Sequence, residues 1–310
     1  MKRLVVVGAG AVGGCISVLV SKSAFPVTLV TRANQIAKYQ DGLTIQFPGH
    51  SIKAKPELAA GIQGVDWRSG DVVIVATKLN DAPAIFDQIV ATAGRDVPVV
   101  CASNGVAGER WANERFINVI GMMIWMPSTH MEDGDFRVYG KTCPGVLDIG
   151  PLKGCSSLES KALATVLRAA GFESEHRIDI MKWKHAKWIT NLGNTAQALI
   201  SDDWKRVAKL ASEEGERVFT AANIDRIPTS ELLDRCKNIA LAPIDGQRRD
   251  GGSTWQSFQR GKPLETPWIE GGIVALADSC GADAPVNKRL NELAKNPKHM
   301  AAEEFLQGIS

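Results

Sequence analysis

The sequence predicts an α/β chain, with a doubly wound N-terminal domain over residues 1–178 and an all-α C-terminal domain over residues 179–310. Three observations carry this. A short apolar run opens into a glycine-rich turn, strand-like and helix-like patterns then alternate through the first half, and only helical periodicity follows residue 178. A chain of 310 residues is long enough for two domains with separate cores.

The opening stretch, "MKRLVVVGAGAVGGC", has two meanings. Basic residues, an apolar run and small residues before Cys15 imitate a cleaved leader. The same letters spell a strand entering Gly8-x-Gly10-x-x-Gly13, the turn of a Rossmann-type dinucleotide fold. The apolar run Leu4–Val7 is too short for a leader, and Ala11 to Val20 continues as a helix. A second β-branched run, Val27–Thr31, arrives where the returning strand of a ~30-residue βαβ unit belongs. The dinucleotide meaning is therefore preferred. Gly8 serves the tight turn, Gly10 lets a pyrophosphate approach bare backbone, and Gly13 lets helix and strand pack closely. Gly8, Ala9, Gly10, Ala11, Val12 and Gly13 together form the expected phosphate loop, with the anion on a helix N-terminus.

The second strand ends Thr31-Arg32, with no acid until Asp41. A site selective for NAD offers an acid about 20 residues after the glycines, whereas an NADP site offers an arginine to the 2′-phosphate. NADP(H) is thus the expected cofactor, the alternative being that Arg32 is an ordinary exposed charge.

Further along, Asp71–Ala76 and Val97–Cys101 are near-continuously apolar, as buried parallel strands are, with a helix between them over Asp81–Ala93. Gly145–Gly150 and Glu173–Ile178 are expected strands flanking a helix over Leu158–Ala170. Helices are then expected over Met181–Ile200, Trp204–Ala222, Thr229–Ala240, Trp268–Cys280 and Asn287–Ala294. The helical domain is expected to bind substrate and to carry any dimer contact, the two domains meeting in a cleft.

Composition narrows the function. Lys and Arg number 36 against 34 Asp and Glu, a net charge of +2, and the charges are dispersed, which argues against nucleic acid or an anionic membrane as partner. No apolar run reaches the ~18 residues of a membrane span. The six cysteines, at 15, 101, 143, 155, 236 and 280, lack CxxC spacing and several lie in apolar contexts, so buried free thiols in a cytoplasmic enzyme are expected. The five histidines show no metal-ligand spacing, and no metal is expected.

Chemistry concentrates in "MKWKHAKWITNLGNTAQAL", residues 181–199. On one helix Asn191 lies about 40° from Lys187 and Asn194 about 20° on the other side, so the three share a narrow polar stripe. A cation and two amides so aligned can bind a carbonyl or carboxylate. Lys184 lies only about 60° around the helix from Lys187 and competes for the same role. Trp183, Trp188 and Trp255 are expected in the core or an interface, and Ser253, after Gly251-Gly252, as a helix cap.

Taken with the glycine turn, Lys78 in "VATKLND", Asn104 in "SNGVAGE", Lys187-xxx-Asn191, "GGSTWQSFQRGKPLETPWIEGG" and "GADAPVNKRL" make a sequence that resembles the ketopantoate reductase (2-dehydropantoate 2-reductase) family over nearly its whole length. The resemblance implies that Lys187 is the proton donor and Glu265 the acid orienting the keto or hydroxyl group. It implies that Asn191 and Ser253 bind substrate, with Asn194 beside them, and that Asn104 lies between nicotinamide and substrate. It makes Arg32 and Lys78 the contacts of the cofactor's phosphate and adenosine. These residue types suit the chemistry, because hydride addition leaves an alkoxide that needs a proton and a nearby cation.

The chain departs from the family's pattern in three places. Asn194 follows Asn191 by three residues where some members have four; Ser257 replaces an acid after Gln256; and "HMEDGDFRVYG" is acidic where an apolar turn is common. These bear on the substrate more than on the reductase chemistry. The leading expectation is NADPH-dependent reduction of a small branched 2-keto acid, ketopantoate first. Its rivals are an enzyme of another 2-keto acid or opine-type substrate and a dinucleotide-binding sensor without turnover. A sensor has no need of a proton donor, so the set Lys187, Asn191, Ser253 and Glu265 argues against it.

Overall fold

The computed structural model describes residues 1–152 and 157–309; the expectation for Cys155 lies outside the described residues. The strands are β1 (Arg3–Val7), β2 (Val27–Thr31), β3 (Leu43–Phe47), β4 (His50–Ala54), β5 (Glu57–Ala60), β6 (Asp71–Val75), β7 (Val99–Cys101), β8 (Val119–Trp125), β9 (Ser128–Glu132), β10 (Asp135–Val138) and β11 (Val146–Pro151). The helices are α1 (Ala11–Lys22), α2 (Ala33–Tyr39), α3 (Ala82–Ala93), α4 (Ala107–Asn113), α5 (Ser157–Ala169), α6 (Ile180–Asn191), α7 (Asn194–Leu199), α8 (Trp204–Ala221), α9 (Thr229–Cys236), α10 (Ser253–Gln259), α11 (Glu270–Cys280), α12 (Pro285–Leu293) and α13 (Ala302–Gln307). Two compact units contain them: Met1–Ser103, Gly108–Met181 and Leu233–Arg249 in the first, Asn104–Ala107, Lys182–Leu232 and Asp250–Ser310 in the second.

The first unit is built on a seven-stranded sheet of order β11-β8-β7-β6-β1-β2-β5. All its pairs are parallel except β8 with β11. Successive side chains of β1 serve two cores, which is why its run is apolar throughout: Leu4 and Val6 pack with Ile16 and Leu19 of α1, Val5 and Val7 with Phe86 and Ile89 of α3. At the start of the same strand, buried Arg3 grips buried Asp71 through two hydrogen bonds, Nε to Oδ1 at 3.0 Å and Nη2 to Oδ2 at 2.6 Å. From β1 the chain proceeds to β2 on one side and returns to β6 on the other, so the glycine turn after β1 sits where strand order reverses, the usual place for a ligand in such sheets.

A second sheet, of order β4-β3-β10-β9, was not among the expected elements. Its strands have only four or five residues each. The alternation in Leu43-Thr44-Ile45-Gln46-Phe47 buries every second residue. Phe136 of β10 lies against α1 so closely that a Cβ at Gly14 would overlap its ring.

Three expected elements differ in detail. Residues 173–178 are not a regular strand; they run beside β11 and bridge it at Glu173 and His176 only. The acid of Asp148 accounts for part of this, accepting the backbone N–H of Glu175 at 2.9 Å and the Arg235 fork at 2.8 and 3.0 Å. Helix α9 ends at Cys236 rather than continuing to residue 240, because Ala240 and Ala242 exchange backbone hydrogen bonds with Lys141 and Tyr139. The expected helix over Met181–Ile200 breaks into α6 and α7 at Leu192-Gly193, where α8 comes so near that a Cβ on Gly193 would lie 2.8 Å from Cβ of Ala208.

Among the described cysteines, 15, 101 and 236 are buried and 143 and 280 partly exposed, and none of the five is in a disulfide. No helix of the described residues is long and apolar enough to cross a membrane.

Candidate functional site

In the first unit, the glycine turn has the geometry of an anion cradle. Gly8 takes a φ of +109°, a conformation that favours glycine, and a side chain there would press on Thr77 and the backbone of Ala76. A Cβ at Gly13 would overlap the carbonyl oxygen of Gly8, so the helix can approach the strand only without one. A Cβ at Gly10, by contrast, would meet nothing within 4 Å. The space over Gly10 is open, Ala11 and Val12 begin α1 behind it, and the first turn of that helix carries no acid. Unpaired N–H groups at this helix start suit a phosphate, so the residues present fit a dinucleotide.

Arg32 stands immediately after β2 as the N-cap residue of α2, its carbonyl accepting the Gln35 N–H at 2.9 Å and its exposed guanidinium making no hydrogen bond or ion pair among the described residues. Lys78 lies in the loop after β6, two residues beyond Ala76 of the cradle. Sequence reasoning missed an acid at α2: Asp133 accepts hydrogen bonds from Gln35 Nε2 at 2.8 Å and Lys38 Nζ at 2.7 Å. Gln35 in turn accepts the hydroxyl of Thr31 at 2.7 Å. The Lys38 ammonium holds the Asp133 carboxyl below the usual range. Burial pushes the hydroxyl of Tyr39 up to about 12, with Asp133 raising it further and Arg32 lowering it. The one advance signal of Asp133 was the acidity of "HMEDGDFRVYG".

In the second unit, one polar cluster gathers four of the predicted residues. Lys187 Nζ donates to Asn191 Oδ1 at 2.6 Å and stands 3.4 Å from Thr190 Oγ1. Asn191, itself buried, donates its Nδ2 to Asn104 Oδ1 at 3.0 Å, and Asn194 Nδ2 lies 3.4 Å from the Asn191 oxygen. The break between α6 and α7 therefore leaves the stripe intact. Lys184 is buried at 3 % exposure, whereas Lys187 is half-buried and is the lysine that reaches Asn191.

The remaining predicted residues flank this cluster. Ser253 is the first residue of α10, and Gly252, not Ser253, occupies the capping position with an extended backbone, its N–H donating to Gln197 Oε1 at 2.8 Å. Half-buried Glu265 precedes a short 3₁₀ turn, and its neighbour Thr266 shares a 2.8 Å hydroxyl contact with Thr195 of α7. Trp188 and Trp183 are buried, Trp188 donating its indole N–H to Ile269 O at 3.0 Å; Trp255 packs on Ala198, Leu199 and Leu264.

Glu270 was not anticipated. It is 1 % exposed in the first turn of α11, and neither carboxyl oxygen completes a hydrogen bond among the described residues. Burial pushes its carboxyl up to about 8, with Thr195 pulling more weakly the other way.

Comparison with known proteins agrees with the sequence resemblance. The pattern described as Ketopantoate reductase PanE/ApbA matches residues 4–154, and that described as Ketopantoate reductase PanE/ApbA C terminal matches residues 179–298. A protein of Archaeoglobus fulgidus named 2-dehydropantoate 2-reductase is 25% identical over 307 residues, covering 95% of this chain and 97% of its own. One of the same name from Pyrococcus horikoshii is 27% identical over 325 residues, covering 99% of each chain. Among solved structures, D-mandelate dehydrogenase with NADH and anilino(oxo)acetate superposes with a TM-score of 0.79 at 19% identity, covering 95% of this chain and 97% of its own. At that identity the likeness concerns the fold.

Proposed function

Since the chain belongs to the ketopantoate reductase family, we propose that it reduces a small branched 2-keto acid to the 2-hydroxy acid with NADPH, ketopantoate being the first candidate. The observation that carries this reading is the hydrogen-bonded set Lys187, Asn191 and Asn104. The names of the archaeal relatives supply the candidate substrate.

Residues 1–178 hold the cofactor in this reading, with Gly8–Gly13 at the pyrophosphate, Arg32 at the 2′-phosphate and Lys78 beside the adenosine. Support comes from the open space over Gly10 and from an Arg32 guanidinium that has no other partner among the described residues. NADPH, when bound, supplies the hydride that the carbonyl carbon receives. Lys187 stabilises the charge that develops on the carbonyl oxygen while its ammonium is still protonated, and then gives that oxygen a proton from Nζ, which leaves a neutral amine. The Asn191 oxygen fixes the ammonium, while the Asn191 amide fixes Asn104. Asn194 and Ser253 bind the substrate carboxylate, and Glu265 accepts a hydrogen bond from the nascent hydroxyl. The Lys187 amine regains its proton from solvent after product leaves.

The test is to mix purified protein with NADPH and follow loss of reduced nicotinamide absorbance with ketopantoate and other 2-keto acids, and then with NADH in its place. Ketopantoate turnover well above linear keto acids establishes the candidate substrate. Tight NADPH binding without turnover of any 2-keto acid contradicts the reductase reading.

A further inference from the structure

We infer that Glu270 is a positioning residue of the reductase site, acting through the hydroxyls of Thr195 and Thr266 on Asn194 and Glu265 without touching substrate. The inference rests on the reductase reading above and goes beyond it by giving a role to a residue behind the site.

The segment 265–272 backs the site. It begins at Glu265, whose carbonyl accepts the N–H groups of Trp268 at 2.9 Å and Ile269 at 3.2 Å, and it ends in the first turn of α11. On the way it meets the residue that follows each of three other site residues. Thr266 Oγ1 lies 2.8 Å from Oγ1 of Thr195, next to Asn194. The Ile269 carbonyl accepts the indole N–H of Trp188, next to Lys187, at 3.0 Å. A Cβ on Gly105, next to Asn104, would come 2.9 Å from Ile269 Cδ1, and one on Gly272 would come 2.8 Å from the Trp188 ring. Packing this close transmits displacement, so a shift of the segment moves Lys187, Asn104, Asn194 and Glu265 together.

Glu270 sits inside this backing, and it, Thr195 and Thr266 are each 1 % exposed. Burial acts most strongly on its carboxyl, the Thr195 hydroxyl is the one other side chain that acts on it, and no charged group contributes. The charged groups of the elements packed around it have other partners or face solvent. Glu214 of α8 accepts the N–H groups of Val286 and Asn287 at 2.9 and 3.0 Å, and Arg289 of α12 donates to the carbonyls of Gly308 and Glu304. Lys288 and Glu292 of α12 are exposed. On α6, Lys187 holds Asn191 and His185 meets the carbonyl of Asp225, while buried Lys184 does not act on the Glu270 carboxyl. A carboxylate enclosed without a cation is costly, so the acid stays neutral and has a proton to donate. Given to Thr195 Oγ1, that proton leaves the Thr195 hydrogen for Thr266, and the hydroxyl pair is fixed in one direction. Ionisation reverses the order, because a carboxylate only accepts.

The experiment measures kcat and KM for ketopantoate with NADPH in wild type, Glu270→Ala and Glu270→Gln, each across pH. Glu270→Ala should lower kcat by roughly 10- to 100-fold with little change in NADPH affinity, as misplaced reacting groups do. Glu270→Gln should keep kcat near wild type, because its amide donates to Thr195 as the neutral acid does. Wild-type kcat/KM should fall as pH rises through about 8, and Glu270→Gln should lack that fall. A Glu270→Ala protein with near-normal kcat, a Glu270→Gln protein as impaired as Glu270→Ala, or the same fall in wild type and Glu270→Gln overturns the inference. If Glu270→Ala does not fold, the Gln variant and the two pH profiles decide. If the wild-type protein reduces no keto acid, the reductase reading fails separately, and calorimetric titration with ketopantoate in the presence of NADP⁺ decides. Binding that weakens above pH 8 in wild type and not in Glu270→Gln upholds the inference; binding that is absent, or has the same pH dependence in both, overturns it.

Discussion

Lys187 and Asn191, one turn apart on α6, are joined by a 2.6 Å hydrogen bond from Nζ to Oδ1, and the same asparagine uses its Nδ2 to hold Asn104. One buried amide thereby fixes both a cation on the helix and a residue of the segment 104–107. Loss of that amide frees two groups at once.

Asn191→Ala should therefore act on orientation. The expected effect is a fall in kcat of about 10²-fold, the usual penalty for reacting groups misplaced by an ångström, with a smaller change in NADPH affinity. Steady-state kinetics with fluorescence titration of NADPH separates the two. A variant with unchanged kcat and a raised KM alone would make Asn191 a binding residue only.

Cofactor choice should turn on two opposed charges near α2. Arg32→Ala removes a guanidinium that can form paired, charge-assisted hydrogen bonds with a phosphate, and should weaken NADPH while leaving NADH nearly unchanged. Asp133→Asn removes the carboxylate bonded to Gln35 and Lys38 and should shift preference toward NADPH, since a 2′-phosphate no longer meets a like charge. Dissociation constants of both cofactors for the two variants check this. Equal losses of NADPH and NADH in Arg32→Ala would remove Arg32 from the 2′-phosphate.

Glu270 predicts a pH dependence of stability. Its carboxyl titrates near 4.5 when unfolded and about 8 when buried. Between those values the folded protein binds a proton that the unfolded chain releases, so stability contributed by the neutral acid is complete below pH 4.5 and is lost as pH rises to 8. Glu270→Gln keeps the shape and removes the titration. The variant should gain on the order of a few kcal/mol over wild type between pH 5 and 8, read as a higher Tm at pH 8. A Tm difference that does not vary with pH would show that Glu270 is ionised in the folded protein.

Local chemistry explains what could be read in advance. The glycine turn, β1, β2 and β6 were legible because strands covered on both faces are largely apolar and because the spaced glycines answer local demands, Gly8 and Gly13 steric ones and Gly10 the open approach to bare backbone. The polar stripe was legible for a similar reason, since three or four residues along a helix bring Lys187, Asn191 and Asn194 together. The break at Gly193 was not, because it depends on Ala208, a partner 15 residues away. The sheet of β3, β4, β9 and β10 joins strands nearly 100 residues apart, and each is too short to declare itself alone. Asp133 and Glu270 were missed on the same ground: an acid looks like a surface charge until its distant neighbours, Gln35 for one and Thr195 for the other, are known.

The account stands most directly on Lys187→Ala. With NADPH and the best 2-keto acid found for the wild-type protein, kcat should fall by the ~10²–10⁴ typical of losing a positioned acid, while the NADPH dissociation constant changes little. Lys184→Ala, which alters the buried lysine on the neighbouring face of α6, serves as the comparison. A Lys187→Ala protein that folds, binds NADPH and turns over at near-normal rate, while Lys184→Ala is crippled, would contradict the assignment of the proton donor.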